Sequence, residues 1–239
     1  MRLIFLLIIC LPLLASSEEL RPNSGINAFS NSCSQIFLDA VPTVRIGPDE
    51  IGIFAYGSLL NAESFSNTLG RRYEGQVTAG HLNGFTRTWN AAYPNKKYHG
   101  TTSNGIFTPK HILFLNIVPK ADAYINGMIF VVKKTDIPGY DSREEIYQST
   151  VVTNQVSGVR VEGGDVITYV GKQEFLAPDN PSSLEDYAVR NSYIEIYKRA
   201  LDLARQTNPM FVEEFERTTE PVPSGLVFDD FKSPAPAPP

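Results

Sequence analysis

The 239-residue sequence predicts an α+β, or mixed α/β, fold. Three observations carry that expectation. The middle of the chain is a succession of short apolar, β-branched runs bounded by turn residues. One later segment, 184–205, places apolar residues at helical spacing. The run Ile51–Ala55 ends abruptly in Tyr56-Gly57-Ser58-Leu59, the pattern of a buried strand that stops at the open end of a sheet.

In chain order, Ile51–Ala55 reads as a buried strand. The segment 61–69 reads as a short helix with Asn61 as its cap. Strand character returns over 76–82 and continues through 84–90. The polar stretch 93–105, rich in Asn, Lys, Thr and Gly, reads as a long excursion beside a site. Residues 112–118 and 127–132 are the clearest strands, and 150–156 and 166–170 add two more. Leu184, Tyr187, Ala188, Tyr193, Ile196, Tyr197, Ala200 and Leu201 mark the helix over 184–205, and 211–216 adds a turn. Periodicity alone does not fix the sheet topology.

The two ends have their own character. Arg2, the apolar run 3–14 and the small residues Ala15-Ser16-Ser17 read as a secretory signal peptide over 1–17, with an apolar stretch short for a membrane span. Residues 18–47 read as a weakly patterned extension, 48–220 as the main domain, and 221–239, which closes on Pro-Ala-Pro-Ala-Pro-Pro, as a Pro-rich disordered tail. The expected location is therefore secreted or periplasmic, with no stable membrane association once the leader is removed. Cys10 lies in the leader, so Cys33 is left without an intramolecular disulfide partner.

A net charge of −5 gives no basic footprint, which argues against nucleic acid as a partner. The three histidines, His81, His99 and His111, have no metal-type spacing. Neither a Gly-x-Ser-x-Gly elbow nor a P-loop or dinucleotide fingerprint occurs. Any chemistry is left to carboxylates, backbone amides and tyrosines, with no metal and no cofactor expected.

Two segments are candidates. A strand running into Tyr56-Gly57-Ser58-Leu59 presents backbone N–H groups that can hold an anion such as a carboxylate; equally, the turn can simply leave the strand, with Ser58 capping the following helix. In Asp141-Ser142-Arg143-Glu144, Asp141 suits an N-cap and Glu144 the N3 position of a capping box. That role and a catalytic one are compatible, because a carboxylate in the first helical turn is held in place. Glu145 points about 100° away around such a helix, toward solvent. Tyr147 shares the face of Glu144.

The order and spacing of several blocks resemble the γ-glutamylcyclotransferase-like superfamily, whose AIG2-like and ChaC-type members share one fold. The blocks are Phe54-Ala-Tyr-Gly-Ser-Leu59, Gly84-Phe-Thr-Arg-Thr-Trp-Asn90, Leu115-Asn-Ile-Val-Pro119 with Ile125-Asn-Gly-Met-Ile-Phe130, Asp141-Ser-Arg-Glu-Glu-Ile-Tyr147, and Ile167-Thr-Tyr-Val170. The resemblance implies a compact mixed β-barrel or sheet with flanking helices. It implies Glu144 as the catalytic acid–base residue. Tyr56, Gly57, Ser58 and Leu59 would hold the α-carboxylate of a small-molecule γ-glutamyl substrate, with Tyr147 and Tyr169 as further substrate-binding residues and Arg87 a weaker candidate. The implied reaction is intramolecular release of 5-oxoproline. The alternative is a catalytically inactive secreted binding protein on the same fold. The chain departs from the family in its leader, in the 93–105 excursion and in Tyr140, which stands where Leu is usual.

Overall fold

The computed structural model describes residues 41–232 apart from 104 and 224. The leader, most of the extension, Cys33 and the final seven residues lie outside the described residues. The strands are β1 (Thr43–Arg45), β2 (Glu50–Ala55), β3 (Val77–Pro94), β4 (Tyr98–Thr102), β5 (Gly105–Phe107), β6 (His111–Lys133), β7 (Tyr147–Val151), β8 (Val156–Ser157), β9 (Arg160–Glu162), β10 (Val166–Gly171), β11 (Tyr187–Arg190), β12 (Val227–Phe228) and β13 (Phe231–Lys232). The helices are α1 (Ala62–Leu69), α2 (Ile137–Arg143), α3 (Asn191–Thr207) and α4 (Pro209–Arg217).

An eight-stranded mixed sheet organises the described residues, in the order β12-β11-β6-β2-β10-β7, with β3 laid along β6 and β8 on β3. It is a sheet, the second of the two forms expected, and no closed barrel forms among these residues. Its spine is β6. The two runs expected as separate strands, 112–118 and 127–132, are one continuous strand, because β3 pairs antiparallel with nearly all of it. Register shifts after Asn83 and Thr88 bend the pair, and Gly84 takes the first at φ +81, a conformation that a side chain would strain. The partner β2 pairs antiparallel with β6 from Glu50↔Lys133 to Ala55↔Met128 and parallel with β10 at Gly52 and Ile53. Its residues Ile53, Phe54 and Ala55 are buried, as an apolar run between two neighbours must be.

Helix α1 begins where the sequence predicts. The Asn61 side chain accepts a hydrogen bond from Ser64 N (3.0 Å), and Gly70 ends the helix at φ +65. Phe65 anchors it to the sheet, stacked on Phe130 with ring centroids 4.1 Å apart and flanked by Tyr73 and Tyr140. Tyr140 is fully buried in this aromatic cluster, which accounts for a large ring at that position. Burying a side chain of this size contributes roughly 1.5–3 kcal/mol, so the cluster fixes α1 and α2 against the sheet.

Six segments differ from expectation. Tyr187–Arg190 is a strand, and the helix starts only at Asn191. Sheet pairing wins there: β11 runs parallel to β6 at His111 and Ile112 and to β12 at Val227 and Phe228. The excursion over 93–105 is mostly β-structure, the end of β3 followed by the β4–β5 hairpin, which β13 extends through Phe231↔His99. The strand expected over 150–156 breaks at Val152 into a short 3-10 turn, where Thr153 Oγ1 accepts from Val166 N at 2.9 Å. Helix α4 is a full helix rather than a turn; Asn208 caps it and Pro209 opens it. Residues 227–232, assigned to the tail on composition, supply β12 and β13, and β1, assigned to the extension, pairs with β9.

Candidate active site

Strand β2 ends at Ala55, and the chain turns through Tyr56 and Gly57 into a single 3-10 turn, Ser58–Leu60. Leu60 N–H bonds to Gly57 O (2.9 Å), so the amides of Ser58 and Leu59 precede the first bond of the turn and have no acceptor within it. The Tyr56 hydroxyl donates to Tyr169 O at 2.6 Å, which ties the loop to β10. The opposite wall comes from the end of α2. Glu144 N–H closes that helix onto Tyr140 O, and Glu144 O accepts from Tyr147 N, a tight turn that delivers Glu144 and Tyr147 to the same place. A niche of about 30 Å3 results, lined by the Tyr56–Leu59 loop together with Glu144, Tyr147, Tyr169, Tyr193 and Leu115. It has room for one or two water-sized groups. It borders a chamber of about 300 Å3 that shares Ser58, Glu144, Tyr147 and Tyr193 with it and adds Tyr93, Lys97, Tyr98, Arg143, Glu145 and Arg190.

No family model matches the chain, and no curated protein matches it. Among solved structures, YkqA from Bacillus subtilis is 18% identical with a TM-score of 0.50; the match covers 74% of this chain and 56% of that one, little more than half its length. That likeness is one of fold, a mixed α+β sheet with flanking helices. A structure described as gamma-glutamyl cyclotransferase is 16% identical with a TM-score of 0.47, over 74% of this chain and 91% of that chain. An uncharacterized protein from Homo sapiens is 17% identical with a TM-score of 0.47, over 73% and 90%. At such identities the likeness is one of fold, and the chemistry of the site has to be argued from its own residues.

On this scaffold, the loop Tyr56, Gly57, Ser58 and Leu59 and the side chains of Glu144, Tyr147 and Tyr169 all meet at the niche. Arg87 does not. It is fully buried away from the niche, with Phe215 O, Thr219 Oγ1 and Asn126 O as acceptors and its guanidinium 3.8 Å over the Phe215 ring. Burial pushes it down to about 9, and its work is to lock α4 onto β3 and β6. The capping box over 141–144 does not form. Pro138, which lacks an N–H, sits in the first turn of a helix that has already begun at Ile137. Asp141 is therefore mid-helix, where its Oδ1 accepts from the Tyr169 hydroxyl at 2.9 Å, and Glu144 is at the C-terminal end. Ser58 does not cap α1, since Asn61 does; the Ser58 hydroxyl accepts from Arg143 Nη2 at 3.2 Å. Glu145 is exposed, as expected, and borders the chamber.

Burial raises the Glu144 carboxyl above the usual carboxylate range, against the opposing pull of Arg143, whose Nε lies 3.0 Å from Glu144 Oε1. Desolvation, with Glu144 or Tyr56 nearby, pushes the Tyr56, Tyr147 and Tyr193 hydroxyls upward, so all three stay neutral donors at neutral pH. The Tyr147 hydroxyl donates to Leu115 O at 2.8 Å. Arg143 and Tyr193 are the site residues that the motifs do not single out. Arg143 gives its remaining donors to Ser64 and Thr68 of α1, so one guanidinium ties the carboxylate to the loop and to the helix after it. Tyr193 reads as an ordinary apolar position of a helix; only the late start of α3 brings its ring to the niche.

Proposed function

We propose that the protein is an exported γ-glutamylcyclotransferase that converts a γ-glutamyl amine or peptide into 5-oxoproline and a free amine. One observation carries the reading: a buried carboxylate with a raised pKa, Glu144, shares a niche with the Tyr56–Leu59 backbone loop. The leader-like N-terminus supports export.

In this reading the α-carboxylate of the glutamyl group accepts from the backbone amides of the loop. The α-ammonium gives its extra proton to solvent, from which the released amine later takes one, and the neutral amine attacks the γ-carbonyl carbon. The new C–N bond closes the five-membered ring, and the old amide C–N bond breaks. Glu144 takes the proton from the attacking nitrogen and delivers one to the departing nitrogen, so protons balance and Glu144 ends as it began. A raised pKa suits both halves of that cycle, since the group must release the proton it has taken. The reacting groups belong to one molecule, so holding the chain folded supplies much of the rate. The Tyr56, Tyr147 and Tyr169 hydroxyls already donate to protein oxygens, so charge on the carbonyl oxygen is steadied by the loop amides.

The test is to incubate the purified protein with glutathione, γ-glutamyl-alanine and ε-(γ-glutamyl)-lysine and to quantify 5-oxoproline. Release from at least one donor supports the reading and begins to name the leaving amine. A folded protein that releases none from any of them favours the binding-protein alternative.

A further inference from the structure

A separate cavity of about 500 Å3 lies where α4 packs against β3 and β6, beside the turn that joins β8 to β9. It shares no lining residue with the niche or with the chamber next to it. Its volume is in the range of small-molecule sites. Asn126 of β6 lines it and is only 1% exposed. Asn126 Nδ2 donates to Phe211 O at 2.7 Å. A carbonyl oxygen can only accept, so this bond fixes which way round the amide sits and turns Oδ1 away from Phe211 O. That oxygen is buried and has no hydrogen-bond partner among the described residues. A buried acceptor left open in a cavity wall is costly unless a donor arrives to fill it.

The charged side chains around that oxygen do not supply the donor. His81 Nε2 lies 3.0 Å from Glu214 Oε2, and its ring meets Tyr124 edge-on with centroids 5.4 Å apart. Arg217 donates to the Tyr124 hydroxyl and stands 3.6 Å from Glu214 Oε1. Glu213 is exposed at the rim and has neither an ion pair nor a hydrogen bond among the described residues. The wall thus presents two carboxylates against one guanidinium, with open acceptors at Asn126 and Glu213. Phe211, Ala79 and Met210 add apolar surface; Met210 is 70% exposed, a pliant thioether that can settle on whatever occupies the cavity.

We propose that this cavity is a second small-molecule site, and that it binds a primary alkylammonium group. The charged head donates to Asn126 Oδ1 and sits beside Glu213 and Glu214, while the alkyl chain lies on Phe211, Ala79 and Met210. An ammonium has three donors and no acceptor, which matches a wall whose open groups are acceptors. A hydroxyl could fill Asn126 Oδ1 but gains no charge attraction from the two glutamates. A carboxylate would meet both glutamates and a third acceptor, and is repelled. The site stands apart from the niche, so the inference holds whether or not Glu144 turns over a γ-glutamyl donor.

The test titrates the purified protein with n-butylammonium, n-butanol and butyrate at fixed pH and ionic strength, following the Met210 methyl group and the Asn126 side-chain amide by NMR. The sequence has three methionines, so the Met210 signal is assigned by its loss in Met210→Leu. n-Butylammonium is expected to shift both signals saturably with a Kd of about 1 mM, reasonable for so small a ligand. n-Butanol should bind about 10-fold more weakly, since it lacks the charge-assisted bond, and butyrate should leave both signals in place. Glu213→Gln, at an exposed position with no partner to lose, should weaken n-butylammonium by about 2- to 5-fold. Asn126→Ala should weaken it by about 10-fold or more; if that variant does not fold, Glu213→Gln and the comparison of the three probes decide. No saturable shift with n-butylammonium overturns the inference. So does equal affinity for n-butanol, saturation of the same signals by butyrate, or unchanged n-butylammonium affinity in folded Glu213→Gln.

Discussion

Replacing Arg143 by Leu isolates the electrostatics of the site. Arg143 Nε lies 3.0 Å from Glu144 Oε1, and it is the group that holds the Glu144 pKa down against burial. Two unit charges about 4 Å apart interact by roughly 4 kcal/mol at an effective dielectric constant near 20, and about 1.4 kcal/mol corresponds to one pKa unit. That sets a ceiling near 3 units. The Arg143 side chain is 26% exposed, so solvent screens part of it, and a rise of about 1–3 units is expected. The sign is fixed by the chemistry. Glu144 must be ionised to take a proton, so activity is lost as pH falls through its pKa, and raising that pKa moves the acid limb of kcat/KM to higher pH. The limb is read from 5-oxoproline release, and the titration of Glu144 itself from the NMR shift of its carboxyl carbon. Arg143→Lys keeps a charge near the carboxylate and should move both less. A Glu144 titration that stays put, or falls, in folded Arg143→Leu refutes the electrostatic account.

Two further outcomes follow from the same geometry. Glu144→Gln should be more stable than the parent at pH 7. The folded-state pKa of Glu144 lies above its unfolded value, so the penalty of burying the ion is present above the folded pKa and disappears below the unfolded value of about 4.3. Melting temperatures across that range should therefore converge toward low pH; a variant less stable at pH 7 contradicts the desolvation argument. Gly127→Ala should destabilise the protein by about 1–3 kcal/mol in urea denaturation, because the new Cβ would stand 2.5 Å from Ala55 O and 2.6 Å from the Phe54 ring, in the strand that carries the loop. A neutral effect there would mean that β2 and β6 are less tightly apposed than described.

Much of the site was legible because its signals are local. The strand into Tyr56-Gly57-Ser58-Leu59 and the Asn61 cap each depend on neighbours within a few residues, and both stand where the sequence places them. The capping box at Asp141 failed through a competing local signal, Pro138, which starts the helix earlier and turns Glu144 from a first-turn residue into the C-cap. What stayed hidden depends on distant pairing. Tyr187–Arg190 has helical spacing but lies between the edge of β6 and β12, and no local pattern announces a parallel partner some seventy-six residues upstream, as at Tyr187↔His111. Arg143 and Arg190 were hidden for the same reason. Arg143 acts through Ser58, Ser64 and Thr68, and Arg190 is framed by Tyr98 and Asp230. Arg87, a weaker substrate-binding candidate in the sequence, is buried away from the niche and bonded to uncharged oxygens.

The central claim is that Glu144 moves the proton in a cyclisation that the Tyr56–Leu59 loop positions. The most direct measurement is 5-oxoproline release from the best γ-glutamyl donor by the parent and by Glu144→Gln, with binding of the donor to each measured alongside. The account predicts that the variant still binds the donor and that its turnover falls by about 10²- to 10⁴-fold, the range for losing a general acid–base group. Turnover retained in Glu144→Gln would contradict it.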